Sequence, residues 1–192
     1  MNVYDFDRTI YDGNSTFDFY MFCLKRHPKI IKYIFNYLPN RFLYRIGKIT
    51  TEQAKEKFFA FVQDVDGIDF VLDLFWHENE NKIKIFYLLQ QQSDDLIISA
   101  SPQFLLEPVC KMYGITHLIA SEVDRHTGKF IDKKKYCYGR QKVRYFLEKY
   151  ENNIENFYSD SLTDEPLARI AANAFLVKKD KILAWKIEKS QD

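Results

Sequence analysis

The spacing of apolar residues changes twice along this chain, and those changes divide it. Residues 2–6 are a short apolar run of strand length, followed by a polar turn region at 8–16 with Arg8, Asp12, Gly13, Asn14 and Ser15. Ser15 or Thr16 is the expected cap of the next helix, since a hydroxyl there accepts from the unpaired N–H groups of a first turn. From 17 to about 24 the apolar spacing is helical and rich in aromatics. Pro28 and Pro39 punctuate a second helical stretch carrying Ile30, Ile31, Tyr33, Ile34, Phe35 and then Leu43, Tyr44 and Ile46. A third begins at Thr51, breaks at 64–67, and is followed by a fourth over 68–90. Residues 15–90 therefore read as a small all-helical bundle.

Past residue 90 the period alternates. Leu96-Ile97-Ile98 is a buried-strand run ending in Ser99-Ala100-Ser101-Pro102. A helix is predicted over 103–113, stopped by Gly114, then a strand over 117–123 and a hairpin turn at Thr127-Gly128. Next come a helix over 139–150 with Val143, Phe146 and Leu147 inward, a strand over 154–159, an alanine-rich helix over 165–174 and a last core strand over 174–177. Strands alternating with helices imply an α/β fold with a parallel sheet. The helical block makes a large insertion after the first strand, and loop-closure cost for such an insertion grows only slowly with length. The predicted domains are a core of 1–14 plus 91–192 and an inserted helical domain of 15–90.

Composition narrows the classes. The chain has 192 residues, 46% hydrophobic, with 28 Lys and Arg against 27 Asp and Glu. That is enough for a sizeable core, and a net charge of +1 gives no global pull toward nucleic acid. Cys23, Cys110 and Cys137 show no metal-ligand spacing; an odd count suggests reduced thiols in a cytoplasmic chain. The start reads straight into a strand, so no cleavable leader is expected, and no apolar run approaches the roughly 20 residues of a membrane span. His27, His77, His117 and His126 have no ligand spacing.

The candidate chemistry sits at strand ends. Asp5 and Asp7 are two apart, so in extended backbone they point to one side. Two carboxylates that close need a proton or a cation between them. A parallel sheet brings its carboxyl ends to one edge, which gathers Asp5 and Asp7, Ser99, and Asp160 and Asp164, with Lys142 on a nearby helix. Taken alone, Asp5 and Asp7 also fit a solvated acidic turn; the other strand ends argue for a site. The set holds a carboxylate nucleophile, a second acid, an anion-binding hydroxyl, a lysine and spare carboxylates for Mg²⁺, which suits phosphoryl transfer.

Four segments in order, Asp5-Phe6-Asp7-Arg8-Thr9, Leu96-Ile97-Ile98-Ser99, Lys142, and Ser159-Asp160-Ser161-Leu162-Thr163-Asp164, make the chain resemble the haloacid dehalogenase superfamily of phosphohydrolases. The helical insertion resembles the type-1 cap of its phosphoserine-phosphatase-like branch. The resemblance implies a Rossmann-like core and a Mg²⁺-dependent phosphatase. It gives Asp5 the role of nucleophile, forming an aspartyl-phosphate, and Asp7 that of acid and base. Thr9 would brace the turn through Asp7 or backbone. Ser99 would donate to a phosphoryl oxygen beside the N–H groups of Phe6 and Ala100, and Lys142 would offset charge. Mg²⁺ would be held by Asp5, the Asp7 carbonyl and Asp160, with Asp164 holding a metal-bound water or orienting Lys142. Ser101 for Ser99, one of Lys133, Lys134 and Lys135 for Lys142, and a helix-capping role for Asp164 stay open.

The position where phosphoserine phosphatases carry a Glu for the substrate's amino group falls on Asn14, which leaves a substrate hydroxyl contact or a turn role. From 19 to 51 there is no acidic residue, while Lys25, Arg26, Lys29, Lys32, Arg41, Arg45 and Lys48 stand among aromatics and isoleucines. Such a segment fits either an anionic membrane surface or a basic rim that attracts a soluble anion. The expected substrate is a small phosphorylated metabolite or a phospholipid-precursor phosphate. The expected location is the cytoplasm, with peripheral contact at the inner membrane face open, no nucleic acid and no obligate protein partner. A phosphotransferase or mutase, or a non-catalytic phospho-ligand-binding protein, are the alternatives.

Overall fold

The computed structural model describes residues 1–132, 136–151 and 153–186, with the backbone alone at 36–38, 40–42 and 45. Six strands form one sheet in the order β3-β2-β1-β4-β5-β6. These are β1 (Asn2–Tyr4), β2 (Leu96–Pro102), β3 (His117–Ser121), β4 (Asn156–Ser159), β5 (Asn173–Lys178) and β6 (Lys181–Ala184). β1 pairs in parallel with β2 on one side and β4 on the other, so it is a central strand, as its continuous burial requires. β2–β3 and β4–β5 are also parallel, and β6 closes the edge as an antiparallel hairpin on β5. The expected α/β parallel sheet with a helical insertion is what the chain forms.

The two faces of the sheet separate by residue parity. Val3, Leu96, Ile98 and Phe157 point to one face, where Ile119, Phe146 and Leu167 join them. Tyr4, Ile97 and Tyr158 point to the other. There Tyr4, Tyr158 and Phe175 stack across three strands, with ring centroids 4.7 and 4.9 Å apart. Cross-strand aromatic pairs of this kind contribute about 0.5–1.5 kcal/mol each beyond area burial.

The insertion is built of helices: α1 (Ser15–Arg26), α2 (Ile31–Arg45), α3 (Thr51–Phe59), α4 (Ile68–Asn79) and α5 (Ile85–Gln90), with 3-10 turns in every connection but the one from α2 to α3. α1 buries Phe19, Tyr20, Phe22 and Cys23, and α4 buries Ile68, Val71, Leu72, Phe75 and Trp76, each a stripe at i, i+3 and i+4 spacing. α3 begins with a full capping box between Thr50 and Gln53. The break expected at 64–67 is real: Val65 is extended and Gly67 left-handed at φ +63°. These helices share one continuous hydrophobic cluster with the Tyr4 face of the sheet, and Tyr87 of α5 packs edge-on against Tyr4 at 5.0 Å. The chain leaves and returns side by side. The Lys84 N–H donates to the Ile10 carbonyl and the Asp12 N–H to the Lys82 carbonyl, both at 2.8 Å, and Tyr11 and Ile83 pair antiparallel.

The remaining helices are α6 (Gln103–Met112), α7 (Arg140–Lys149) and α8 (Glu165–Ala168). Four expectations need correction. The cap of α1 is Asn14, whose Oδ1 accepts from the Phe17 N–H at 2.9 Å; Ser15 and Thr16 lie inside the first turn and are buried. Leu147 is 51% exposed, because α7 turns Lys142, Tyr145 and Phe146 inward instead. The helix predicted over 165–174 is one turn long. The N–H groups of Ala172 and Asn173 donate to the Ile154 and Glu155 carbonyls, so sheet pairing overrides the alanines' helix preference. The sheet has a strand beyond the expected last one, β6. Lys133, Lys134 and Lys135 lie outside the described residues.

Candidate active site

The site begins where β1 stops. The Asp5 N–H still pairs with the Tyr158 carbonyl at 2.9 Å, and then the chain turns sharply. The Phe6 carbonyl accepts from the N–H groups of Thr9, Ile10 and Tyr11 at 3.3, 3.1 and 3.0 Å, with Arg8 left-handed at φ +59°. Phe6, stacked on Tyr11 and edge-on to Trp76, anchors the turn in the core. Gly13 closes it at φ +148°; a Cβ there would come within 2.7 Å of the Asp18 carboxylate. The result is a short rigid turn that holds two carboxylates in different surroundings.

Asp5 is buried, and its Oδ1 lies 2.6 Å from the Lys142 ammonium. That ammonium also contacts Asp164 Oδ2 at 2.7 Å, which in turn accepts from Ser159 Oγ at 2.8 Å. Lys142 and Asp164 are almost wholly buried. The strand ends of β1 and β4 and the helix α7 thus converge on one cation shared by two acids. Asp164 gives no side-chain cap to α8. Thr9 Oγ1 donates to Asp5 Oδ2 at 3.4 Å and accepts from the Asp160 N–H at 2.9 Å, so of the two expected partners it takes backbone, and its carboxylate partner is Asp5 in place of Asp7. Asp160 sits at the rim, 3.7 Å from the Arg8 guanidinium.

Asp7 faces the other way. Its Oδ1 accepts from the Ser15 N–H at 2.7 Å, at the start of α1. Its Oδ2 accepts from Ser101 Oγ at 2.6 Å, and Ser101 is itself within 2.9 Å of Thr16 Oγ1 and 3.2 Å of Ser15 Oγ. Ser99 is buried at the same strand end, its Oγ accepting from the Ser101 N–H at 3.1 Å. Ala100, between them, takes the Ser121 hydroxyl on its carbonyl at 2.9 Å. Asn14 is committed to capping α1. Sequence reasoning missed the Ser15, Thr16 and Ser159 hydroxyls and weighed Ser101 only as a substitute for Ser99. The alternation of Ser99 and Ser101 in β2 was the available signal, since residues two apart share a face.

Electrostatics follow from burial. Burial pushes the Asp5 carboxyl up to about 7, with Lys142 pulling down and Asp164 pushing up. Burial alone would lower the Lys142 ammonium, but Asp5 and Asp164 outweigh it and hold the group above its ordinary value. Burial also raises Asp160, against the pull of Arg8. Among the described residues no three His, Cys, Asp or Glu side chains converge into a metal cage. An all-oxygen set of the Asp5 and Asp160 carboxylates with the Asp7 carbonyl matches the chemistry of Mg²⁺, which takes one or two carboxylates and keeps several waters. The excess of buried acid over base fits a cation.

An α/β sheet with paired aspartates just beyond its central strand and a buried lysine answering them from α7 defines a class of hydrolase-like cores. A family model described as haloacid dehalogenase-like hydrolase matches residues 3–169, and the chain belongs to that family. Over 98 residues it is 29% identical to a histidinol-phosphatase of Neisseria meningitidis serogroup C (strain 8013), covering 45% of this chain and 44% of that protein. Over 94 residues it is 30% identical to a protein named a probable phosphatase from Mycobacterium tuberculosis (strain ATCC 25618 / H37Rv), covering 46% and 33%. The chain spans less than half the length of these curated relatives. Among solved structures, a protein of unknown function from Bordetella pertussis Tohama I superposes with a TM-score of 0.64 at 17% identity, over 91% of this chain and 87% of that one. A phosphoserine phosphohydrolase-like protein from Francisella tularensis subsp. tularensis SCHU S4 gives 0.58 at 18%, over 91% and 86%. At such identities the likeness is one of fold.

Proposed function

We propose that the chain is a Mg²⁺-dependent phosphatase that hydrolyses a phosphate monoester through an aspartyl-phosphate on Asp5. The observation that carries this reading is the division of labour between the two acids. Asp5 is bound to a buried ammonium, while Asp7 is held apart by the Ser15 N–H and the Ser101 hydroxyl. In the first step an Asp5 oxygen bonds to phosphorus as the ester P–O bond breaks, and Asp7 gives its proton to the leaving alkoxide. In the second, Asp7 takes a proton from water, whose oxygen bonds to phosphorus as the acyl phosphate breaks, freeing inorganic phosphate and Asp5. Ser99 and the Phe6 and Ala100 N–H groups would bind phosphoryl oxygens. Lys142 would neutralise charge between Asp5 and the phosphoryl group, oriented by Asp164. Mg²⁺, held by Asp5, Asp160 and the Asp7 carbonyl, would supply charge neutralisation when bound.

In this reading residues 15–90 form a cap that selects the substrate, a small phosphorylated metabolite or a lipid-precursor phosphate. The relatives' phosphatase names support hydrolysis over transfer to another acceptor. The test is a phosphate-release screen over phosphorylated metabolites, an amino-alcohol phosphate and lipid phosphates included. Release of inorganic phosphate that needs Mg²⁺, stops in EDTA and vanishes in Asp5→Asn is expected. Full activity in Asp5→Asn overturns the nucleophile, and transfer to an acceptor without free phosphate makes the protein a phosphotransferase.

One surface feature favours peripheral contact with an anionic membrane face. The acid-free window exposes Met21, Ile31, Phe35, Tyr44 and Ile46 beside Lys25, Lys29 and Lys48. Arg26 and Lys32 of the same window are engaged by Glu78 and Asp64, and the side chains of Arg41 and Arg45 lie outside those described. No helix among the described residues is long and apolar enough to cross a membrane. Co-sedimentation with anionic but not zwitterionic vesicles at low salt is the expected result; equal indifference to both removes the idea.

A further inference from the structure

Lys84 is a buried lysine that, among the described residues, has no carboxylate in contact. Its ammonium donates to two backbone carbonyls, those of Arg8 at 2.7 Å and Lys179 at 2.8 Å. Burial lowers the ammonium's pKa, opposed by the more distant Asp12, Asp180 and Asp160. Burying a lysine this way is costly, so the contacts it makes are informative.

The two acceptors share a property. Among the described residues, Arg8 and Lys179 are the non-glycine residues with left-handed backbone, at φ +59° and +55°. Such residues carry strain of about 1–3 kcal/mol that their surroundings must hold. Arg8 lies in the turn that presents Asp7 and Thr9, and Lys179 lies at the tip of the β5–β6 hairpin, where Lys178 pairs with Lys181. The next residue after Arg8 is Thr9, whose hydroxyl bridges Asp5 and the Asp160 N–H. Lys84 itself belongs to the segment that returns from the helical insertion, and its own N–H pairs with the Ile10 carbonyl. One side chain therefore ties the insertion's return segment, the turn after the nucleophile and the edge hairpin together.

We infer that Lys84 is a positioning residue for the phosphoryl-transfer site: by gripping the Arg8 carbonyl it fixes the turn that carries Asp7 and Thr9, and so couples the seating of the helical insertion to the catalytic geometry. This rests on the phosphatase reading above for its kinetic consequence, but the clamp itself is a structural statement. Loss of the grip frees the Arg8 peptide and misplaces Asp7 and Thr9, while the groups that bind phosphate stay in place. Misplacements on the order of 1 Å cost roughly 100-fold in rate.

The test compares wild type with Lys84→Met, Lys84→Gln and Lys84→Arg. With p-nitrophenyl phosphate and Mg²⁺, the Met and Gln variants are expected to lose roughly 30- to 100-fold in kcat with KM within about 3-fold, and Arg, which keeps charge and donors, to recover most of it. Amide hydrogen exchange in EDTA is expected to speed about 10-fold or more in peptides spanning 6–13 and 176–183, with the central strands unchanged. The Gln variant stands in if Met does not fold. A folded Met or Gln protein with kcat within about 3-fold of wild type overturns the proposal. So does unchanged exchange at 6–13. If wild type hydrolyses no phosphomonoester, the phosphatase reading fails, and the exchange arm still decides the clamp.

Discussion

Replacing Lys142 by Met keeps the side chain's length and removes the cation that two buried carboxylates share. Lys142 contacts Asp5 at 2.6 Å and Asp164 at 2.7 Å, and all three groups are buried. Removing one partner of a buried ion pair typically costs about 3–5 kcal/mol, because the other is left charged in a low dielectric. The cost depends on pH. Asp5 already has a folded-state pKa raised from 3.8 to about 7, burial being the largest cause and Lys142 a pull downward. Without Lys142 it rises further. A group whose folded pKa is raised contributes stability that is full below the unfolded value and lost as pH rises through the folded one. With Asp5 protonated in both proteins at pH 5, the Lys142→Met deficit there reflects mainly the lost Asp164 contact, and it should grow by up to about 2 kcal/mol by pH 8.5, at about 1.4 kcal/mol for each pH unit above about 7.

Asp5→Asn gives the opposite sign in metal-free protein. From 3.8 to about 7, at about 1.4 kcal/mol per pH unit, ionising Asp5 in the fold costs about 4 kcal/mol, and Asn removes that cost. The loss of the Lys142 contact makes this a ceiling, so a gain of about 1–3 kcal/mol at pH 8.5 is expected, vanishing toward pH 5. Urea denaturation in EDTA at both pH values reads both variants. Equal deficits for Lys142→Met at pH 5 and 8.5, or an Asp5→Asn protein less stable than wild type at pH 8.5, would refute the charge balance argued for this cluster.

Other consequences are cheaper to check. Gly128 is left-handed at φ +68°, and a Cβ there would meet the Phe59 carbonyl oxygen at 2.3 Å; Gly128→Ala should cost about 3 kcal/mol in denaturant titration by strain and overlap, and a loss under 1 would sink the close-approach reading. Among the described residues the buried Tyr87 hydroxyl has no hydrogen-bond partner, so Tyr87→Phe should be neutral or stabilising by about 1 kcal/mol, against the usual direction for a core change, as a thermal melt would show. Burial pushes the thiols of Cys23, Cys110 and Cys137 up to about 12; native protein should resist a thiol-reactive dye at pH 8 and react at three sites once denatured.

The parts that could be read from sequence were those set by short-range rules. Period-2 and period-3.6 patterns gave the strands and helices because burial repeats at those spacings. Asp5, Lys142 and Asp164 were legible as a group because parallel strands and their following helices deliver side chains to one sheet edge. The errors fall where a long-range partner decides. Ala171 and Ala172 have strong helix preference, yet their segment answers the exposed edge of β4 and ends as strand. β6, whose residues Lys181, Ile182, Leu183 and Ala184 are all exposed, exists because β5 needed a neighbour, and its own pattern buries nothing.

Asn14 and Lys84 show the same limit at the site itself. Asn14 holds the position where a substrate contact was considered, but its carboxamide closes the first turn of α1, and that turn's Ser15 N–H is what binds Asp7. Capping the helix and fixing the acid are therefore one structural event, and no motif records it because the two partners are joined through a helix end. Lys84 looks in sequence like one more solvated lysine beside Lys82. Only the pairing of 10–12 with 82–84 brings it beneath the Arg8 turn. The residues given chemical roles in the proposed function sit in short segments because each is delivered by a strand end or by α7. Lys84 comes from the helical insertion, whose return pairs 82–84 with 10–12, so on the proposal above a shift of the insertion reaches Asp7 through the Arg8 carbonyl.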